Sequence, residues 1–132
     1  MILTLPWPPS INHYWRRVGP RTLISREGRA FRTNVCALLG GGGARRPPAG
    51  GRVALAMDAF PPERRRRDID NIQKPVLDAL EHAGIYEDDR QVDLLVTRRQ
   101  APVAGGRLEV RVDELPLRRC PLCGGTIPAE TN

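Results

Sequence analysis

Apolar residues along the 132-residue chain fall into short blocks, some spaced by two and some by three or four. Ile2 to Pro6 (ILTLP) predicts a strand, stopped by Pro6, Pro8 and Pro9. SREGRAFRTNVCALL predicts a helix capped by Ser25 and running to about Leu39, with Phe31, Val35, Leu38 and Leu39 on its apolar side. Residues 40 to 51, GGGGARRPPAGG, read as a flexible surface loop. Arg52 to Phe60 alternates as a strand and ends at Pro61-Pro62. Asn71 to Ala83 predicts a second helix, buried through Ile72, Val76, Leu80 and Ala83 and stopped by Gly84. Pro75 is tolerable there because it falls near the first turn. The opposite face carries Asn71, Lys74 and Asp78. Residues 91 to 100 and 107 to 115 alternate as two strands, read as a hairpin through Gly105-Gly106. The order β-α-β-α-β-β describes a single α/β (mixed α+β) domain, residues 1 to 115, with a mixed sheet and two helices. Residues 116 to 132 form a tail.

Composition narrows the function classes. No apolar run is long enough to span a bilayer, and the start MILTLPWPPS lacks a basic n-region, so a cytoplasmic protein with no membrane role is expected. A formal charge of +6 and a pI near 10.2 favour an anionic partner, nucleic acid first. Twenty of the 21 basic residues are arginine and one is lysine, Lys74. A coding bias that replaces lysine wherever arginine serves would leave Lys74 as a position where it does not.

The densest chemistry is RRRRDIDNIQK, residues 64 to 74. In an extended segment Asp68 and Asp70 present their carboxylates on one side while Ile69 anchors the other. Hard oxygen ligands of this kind suit Mg²⁺, and the start of the following helix attracts anions. A third carboxylate is available from Asp88 or Asp89, either within one chain, if the loop after the helix returns some 20 Å, or from a second protomer. The bland alternative is a solvated network of surface charges contributing little.

The stretch RRRRDIDNIQKPVLDALEHAGIYEDDRQV, residues 64 to 92, closely resembles the RusA-type Holliday-junction resolvases, and LPWPPSINHYW, SREGRAFR and GGRLEV fit the same pattern. The resemblance covers about residues 1 to 115. It implies a RusA-like fold and a C₂ homodimer acting on four-way junction DNA, in recombination and repair, often from prophages. It implies that Asp68, Asp70 and Asp89 are the essential carboxylates binding Mg²⁺, with Mn²⁺ as a substitute, and that Lys74 is the catalytic lysine. Arg64, Arg65, Arg66 and Arg67 would hold flanking phosphates. Asn71 would contact DNA, and Gln73 and Asp88 would support the site. Pro75 departs from the small helix former expected there. The competing reading is a branched-DNA-binding module of phage origin that no longer cuts.

The tail carries RRCPLCGGTI, residues 118 to 127. Cys120 and Cys123 resemble one knuckle of a zinc ribbon, but a closed zinc site needs four ligands. Two protomers could pool their pairs, or the tail could hold no metal. A third reading makes this tail the working part of an interaction protein. Cys36 is expected in the core, and His13 and His82 as local surface residues.

Overall fold

The computed structural model describes residues 1–39 and 50–128. The loop expected at residues 40 to 51 therefore lies almost wholly outside the described residues. The elements are β1 (Ile2–Pro6), α1 (Ile11–Tyr14), β2 (Trp15–Val18), β3 (Arg21–Ile24), α2 (Arg26–Leu39), β4 (Val53–Phe60), α3 (Gln73–His82), β5 (Val92–Arg99) and β6 (Arg107–Glu114), with short 3₁₀ turns at Ile69–Ile72 and Asp89–Gln91. This is the mixed α/β fold the sequence predicts. Two elements were not foreseen: the one-turn helix α1 and the ribbon β2–β3, which turns at Gly19-Pro20.

The four-stranded sheet has the order β1-β6-β4-β5, with β4 parallel to β5 and antiparallel to β6. The hairpin expected between the last two strands does not form. β4 lies between them, because Val53, Ala54, Leu55, Met57 and Ala59 are all buried and such a strand needs a neighbour on each side. The connection from β5 to β6 instead crosses the end of β4. Gln100 N–H donates to Ala59 O at 2.8 Å and Val103 N–H to Pro61 O at 2.9 Å. Gly106 closes this turn at φ +68°, where a Cβ would stand 2.9 Å from Pro62 and 3.0 Å from Trp7.

The helices and the sheet enclose one core. Leu5, Leu55, Met57, Leu108 and Val110 face Phe31, Val35, Val76 and Leu80. Each such side chain contributes about 1.5–3 kcal/mol by leaving water. Ser25 caps α2, accepting from Gly28 N–H at 2.9 Å and donating to His13 O at 2.5 Å. The buried side of α2 is Gly28, Phe31 and Val35. Leu38 is exposed and Cys36 only half-buried, which corrects both expectations: α2 rests on the core along a stripe narrower than its apolar residues suggest. Gly28 is required, since a Cβ there would lie 2.5 Å from Tyr14 O. On α3, Ile72, Val76 and Leu80 are buried as expected, and Ala83 is half-buried.

Candidate active site

After β4 the chain leaves the sheet as an exposed arm, Glu63 to Arg66, and re-enters it through Ile69 and Ile72. Asp68 has extended backbone, but Ile69–Ile72 is a 3₁₀ turn, so Asp68 and Asp70 do not alternate along a strand. The turn wins because Ile72 is buried beneath α3 and draws the chain into helical geometry early. Both aspartates are exposed. Pro75 is the third residue of α3, where its missing N–H costs no intrahelical bond, and its side chain is buried.

Lys74 stands four residues beyond Asp70 on the same helical run. Its ammonium donates to Asp89 Oδ2 in an ion pair. That hydrogen bond, opposed by partial burial, raises the Lys74 pKa above the ordinary value, so the side chain is a cation at any working pH. The return of the loop within one chain follows from α3 having ten residues rather than thirteen and from Gly84 turning it at φ +79°.

The return loop is heavily tied. Asp88 caps the turn Asp89–Gln91, accepting from Arg90 N–H at 2.9 Å. Gln91 is buried and accepts from the Glu87 and Asp88 amides at 2.9 and 3.1 Å, while its own amide donates to Gly51 O at 2.7 Å. Asp89 N–H donates to Glu81 Oε1 at 2.8 Å. Sequence reasoning missed Glu81 and Gln91. The spacing Asp88-x-x-Gln91 is a capping-box signature and could have revealed the second. The three-carboxylate group that the described residues form is Glu81, Asp88 and Asp89, within 4.8 Å of one another. Asp68 and Asp70 are not members of it; they follow the end of β4, whereas Asp89 precedes the start of β5.

Two clefts flank the arginine arm, of about 480 and 600 Å³. They share Trp7, Arg65, Arg66 and Asp68; the first ends at Arg99 and the second at His13 and Asn71. Arg64, Arg65 and Arg66 are exposed and make no ion pair among the described residues. Arg67 differs: it pairs with Glu63 and lies 5.8 Å from the Trp7 ring centre. It braces the arm and is the least free of the four to meet a phosphate. Gln73 fastens the start of α3 to β5 through Thr97 at 3.1 Å. A further cleft, which shares His13 with the second, is lined by Arg16 of the ribbon and by Arg26.

Asp78, on the same face as Lys74 in the sequence, serves a different purpose. It accepts from the buried Tyr14 hydroxyl and from Arg32 at 2.7 Å, which locks α3 to α1 and α2. Burial alone would raise its pKa, but the hydrogen bonds from Arg32 and Tyr14 outweigh that and hold it below the ordinary carboxylate value. Tyr14 is pushed up, by burial first and by Asp78 second.

The family described as Endodeoxyribonuclease RusA matches residues 6–113. The chain is 42% identical over 113 residues to a crossover junction endodeoxyribonuclease of Enterobacteria phage 82, covering 86% of this chain and 93% of the relative. It is 41% identical over the same length and shares to the crossover junction endodeoxyribonuclease of Escherichia coli strain K12. For that of Enterobacteria phage HK97 the identity is 41% over 111 residues, covering 84% and 92%.

Proposed function

The chain belongs to the RusA family of endodeoxyribonucleases, and on that premise we propose that it is a Mg²⁺-dependent, structure-specific endonuclease that resolves four-way DNA junctions. The reaction is hydrolysis of two phosphodiesters, one on each of two opposed strands. One site per chain makes one cut, so a C₂ dimer matches the approximate two-fold symmetry of the junction. The setting is recombination and repair in the cytoplasm. No helix among the described residues is long and apolar enough to cross a membrane.

We assign the metal to Asp68, Asp70 and Asp89. The fit rests on donor chemistry: hard carboxylate oxygens, exposed at Asp68 and Asp70, with Asp89 in a carboxylate group beside a cation that already balances its charge. When bound, Mg²⁺ supplies a water of lowered pKa and neutralises charge on the phosphate. The chain's own residues do the rest. Lys74, held protonated, donates to a phosphate or leaving oxygen as charge develops there; a flexible ammonium can follow that oxygen where a guanidinium fork cannot. Arg64, Arg65 and Arg66 grip flanking phosphates, giving affinity without sequence information, with Arg67 bracing them. Asn71 faces the DNA from the adjoining cleft. Asp88 fixes the turn that presents Asp89, and Gln73 fixes the start of α3.

The observation that carries this reading is the Lys74–Asp89 ion pair, which brings the return loop to the head of α3 within one chain. Cleavage of a labelled synthetic four-way junction in Mg²⁺ tests it, with the intact protein beside Asp70→Asn. Paired symmetric nicks by the intact protein alone are expected. Tight binding without cutting by either, in Mg²⁺ and Mn²⁺, would replace the enzyme with a binding module.

A further inference from the structure

The described tail lies beyond the residues matched to the family and folds into a knuckle of its own. Arg119 and Thr126 pair as an antiparallel bridge around it. Cys120 N–H donates to Gly125 O at 2.8 Å, Gly124 N–H to Cys120 O at 2.9 Å, and Ile127 N–H to Arg118 O at 2.9 Å. Gly124, at φ +74°, provides the reversal. One tight turn thus carries both sulfurs, and a backbone amide is aimed at one of them. Gly125 N–H donates to Cys123 Sγ at 3.4 Å. An amide aimed at sulfur favours a thiolate over a neutral thiol. Thiolates of this kind select a soft or borderline ion such as Zn²⁺ over Mg²⁺.

We propose that Cys120 and Cys123 are half of a Cys₄ zinc site, closed by the same pair from a second copy of the chain. Four ligands are needed, and among the described residues no third His, Cys, Asp or Glu comes close enough to share an ion with this pair. The knuckle is tied to the sheet. Arg98 Nη1 donates to Leu122 O at 3.0 Å, and Arg98 is itself held by Asp58 at 2.9 Å, fixing the turn to the edge strand β5. Leu122, between the two cysteines, is 61% exposed and is the apolar surface that a facing knuckle covers. The zinc clasps two copies through their tails, and the inference stands apart from the nuclease reading.

The test uses the full chain, without a histidine tag, purified reduced and without chelator. The expected content is about 0.5 zinc per chain, as four ligands from two chains require. Cobalt substitution should give the absorption of a tetrathiolate site, and a strong chelator should weaken self-association in sedimentation. Cys120→Ser and Cys123→Ser should each lose the metal while keeping the circular dichroism of the intact chain, and Cys36→Ser should keep it. Any of four results would overturn the proposal: no zinc or cobalt bound, metal retained by Cys120→Ser, one zinc held by a single chain, or a Cys120–Cys123 disulfide in place of metal. Junction cleavage, measured separately, reports on the other reading.

Discussion

Asp78, on α3, and Asp89, on the turn that returns to its head, are both carboxylates matched to a cation, yet they answer to different demands. Asp78 is sunk between three helices, its side chain 14% exposed, and its partners Tyr14 and Arg32 are largely shielded from water and hydrogen-bonded to each other as well. Asp89 faces a lysine that is about half exposed and on a long flexible stem. Breaking a desolvated pair leaves stranded polar groups, whereas breaking an exposed pair leaves groups that water can satisfy. A shared helix face therefore says little about role. The first pair holds helices together, and the second is free to exchange its partner for a ligand.

The comparison can be broken most sharply at Asp89. Asp89→Asn should lower junction cleavage on the order of 10³-fold, about 4 kcal/mol of transition-state stabilisation, with melting temperature nearly unchanged. A large drop in melting temperature would make Asp89 structural and erase the contrast. Asp78→Ala should do the reverse. It is expected to cost about 3 kcal/mol of stability by denaturant titration, with cleavage retained well below the melting point. The same carboxyl gives a pH signature. Its folded pKa is depressed, so its contribution is fully present above the ordinary carboxylate value and is lost as pH falls through the folded one. Acid titration of the intact chain should show that loss, and Asp78→Ala should flatten it.

Gln91→Ala probes what keeps Asp89 in place. Losing a buried amide that serves Glu87, Asp88 and Gly51 should cost about 2 kcal/mol. Hydrogen exchange at the Asp88 and Asp89 amides should quicken, and cleavage should fall roughly 10-fold as the turn loosens. The smallest effect is expected on the arm. Arg65→Ala should weaken junction binding and reduce the slope of log K against log salt by about one, with stability unchanged. Arg67→Ala, already tied to Glu63 and Trp7, should change that slope less.

Strands β1 and β4, helix α2 with its Ser25 cap and the stop at Gly84 were legible because local spacing and turn chemistry fix them. The stretch from Arg64 to Gln91 stood out locally as a run of basic and acidic residues, while its reading as a nuclease site came from the family resemblance. Short local elements were missed, namely α1, the ribbon β2–β3 and the 3₁₀ turn at Ile69–Ile72, but most of the remaining misreadings concern partners far apart in sequence. Nothing local says that β4 separates β5 from β6, that Leu38 faces water while Phe31 does not, or that Asp78 belongs to Arg32 on another helix. Gln91 carried a local signature but not the reason for its importance, which is Gly51, forty residues earlier.

By itself, then, the sequence determined most of the helices and strands and roughly where they end, that the surface is basic, and which carboxylates and lysine sit together along the chain. These follow from backbone propensities and from spacing, which act over a few residues. Tertiary structure alone decided the strand order, the pairing of Lys74 with Asp89 rather than Asp78, and the bracing of Arg67 apart from its three neighbours. Each of those depends on which groups lose water when the layers close, and desolvation is set by contacts between segments that the chain's local order does not encode.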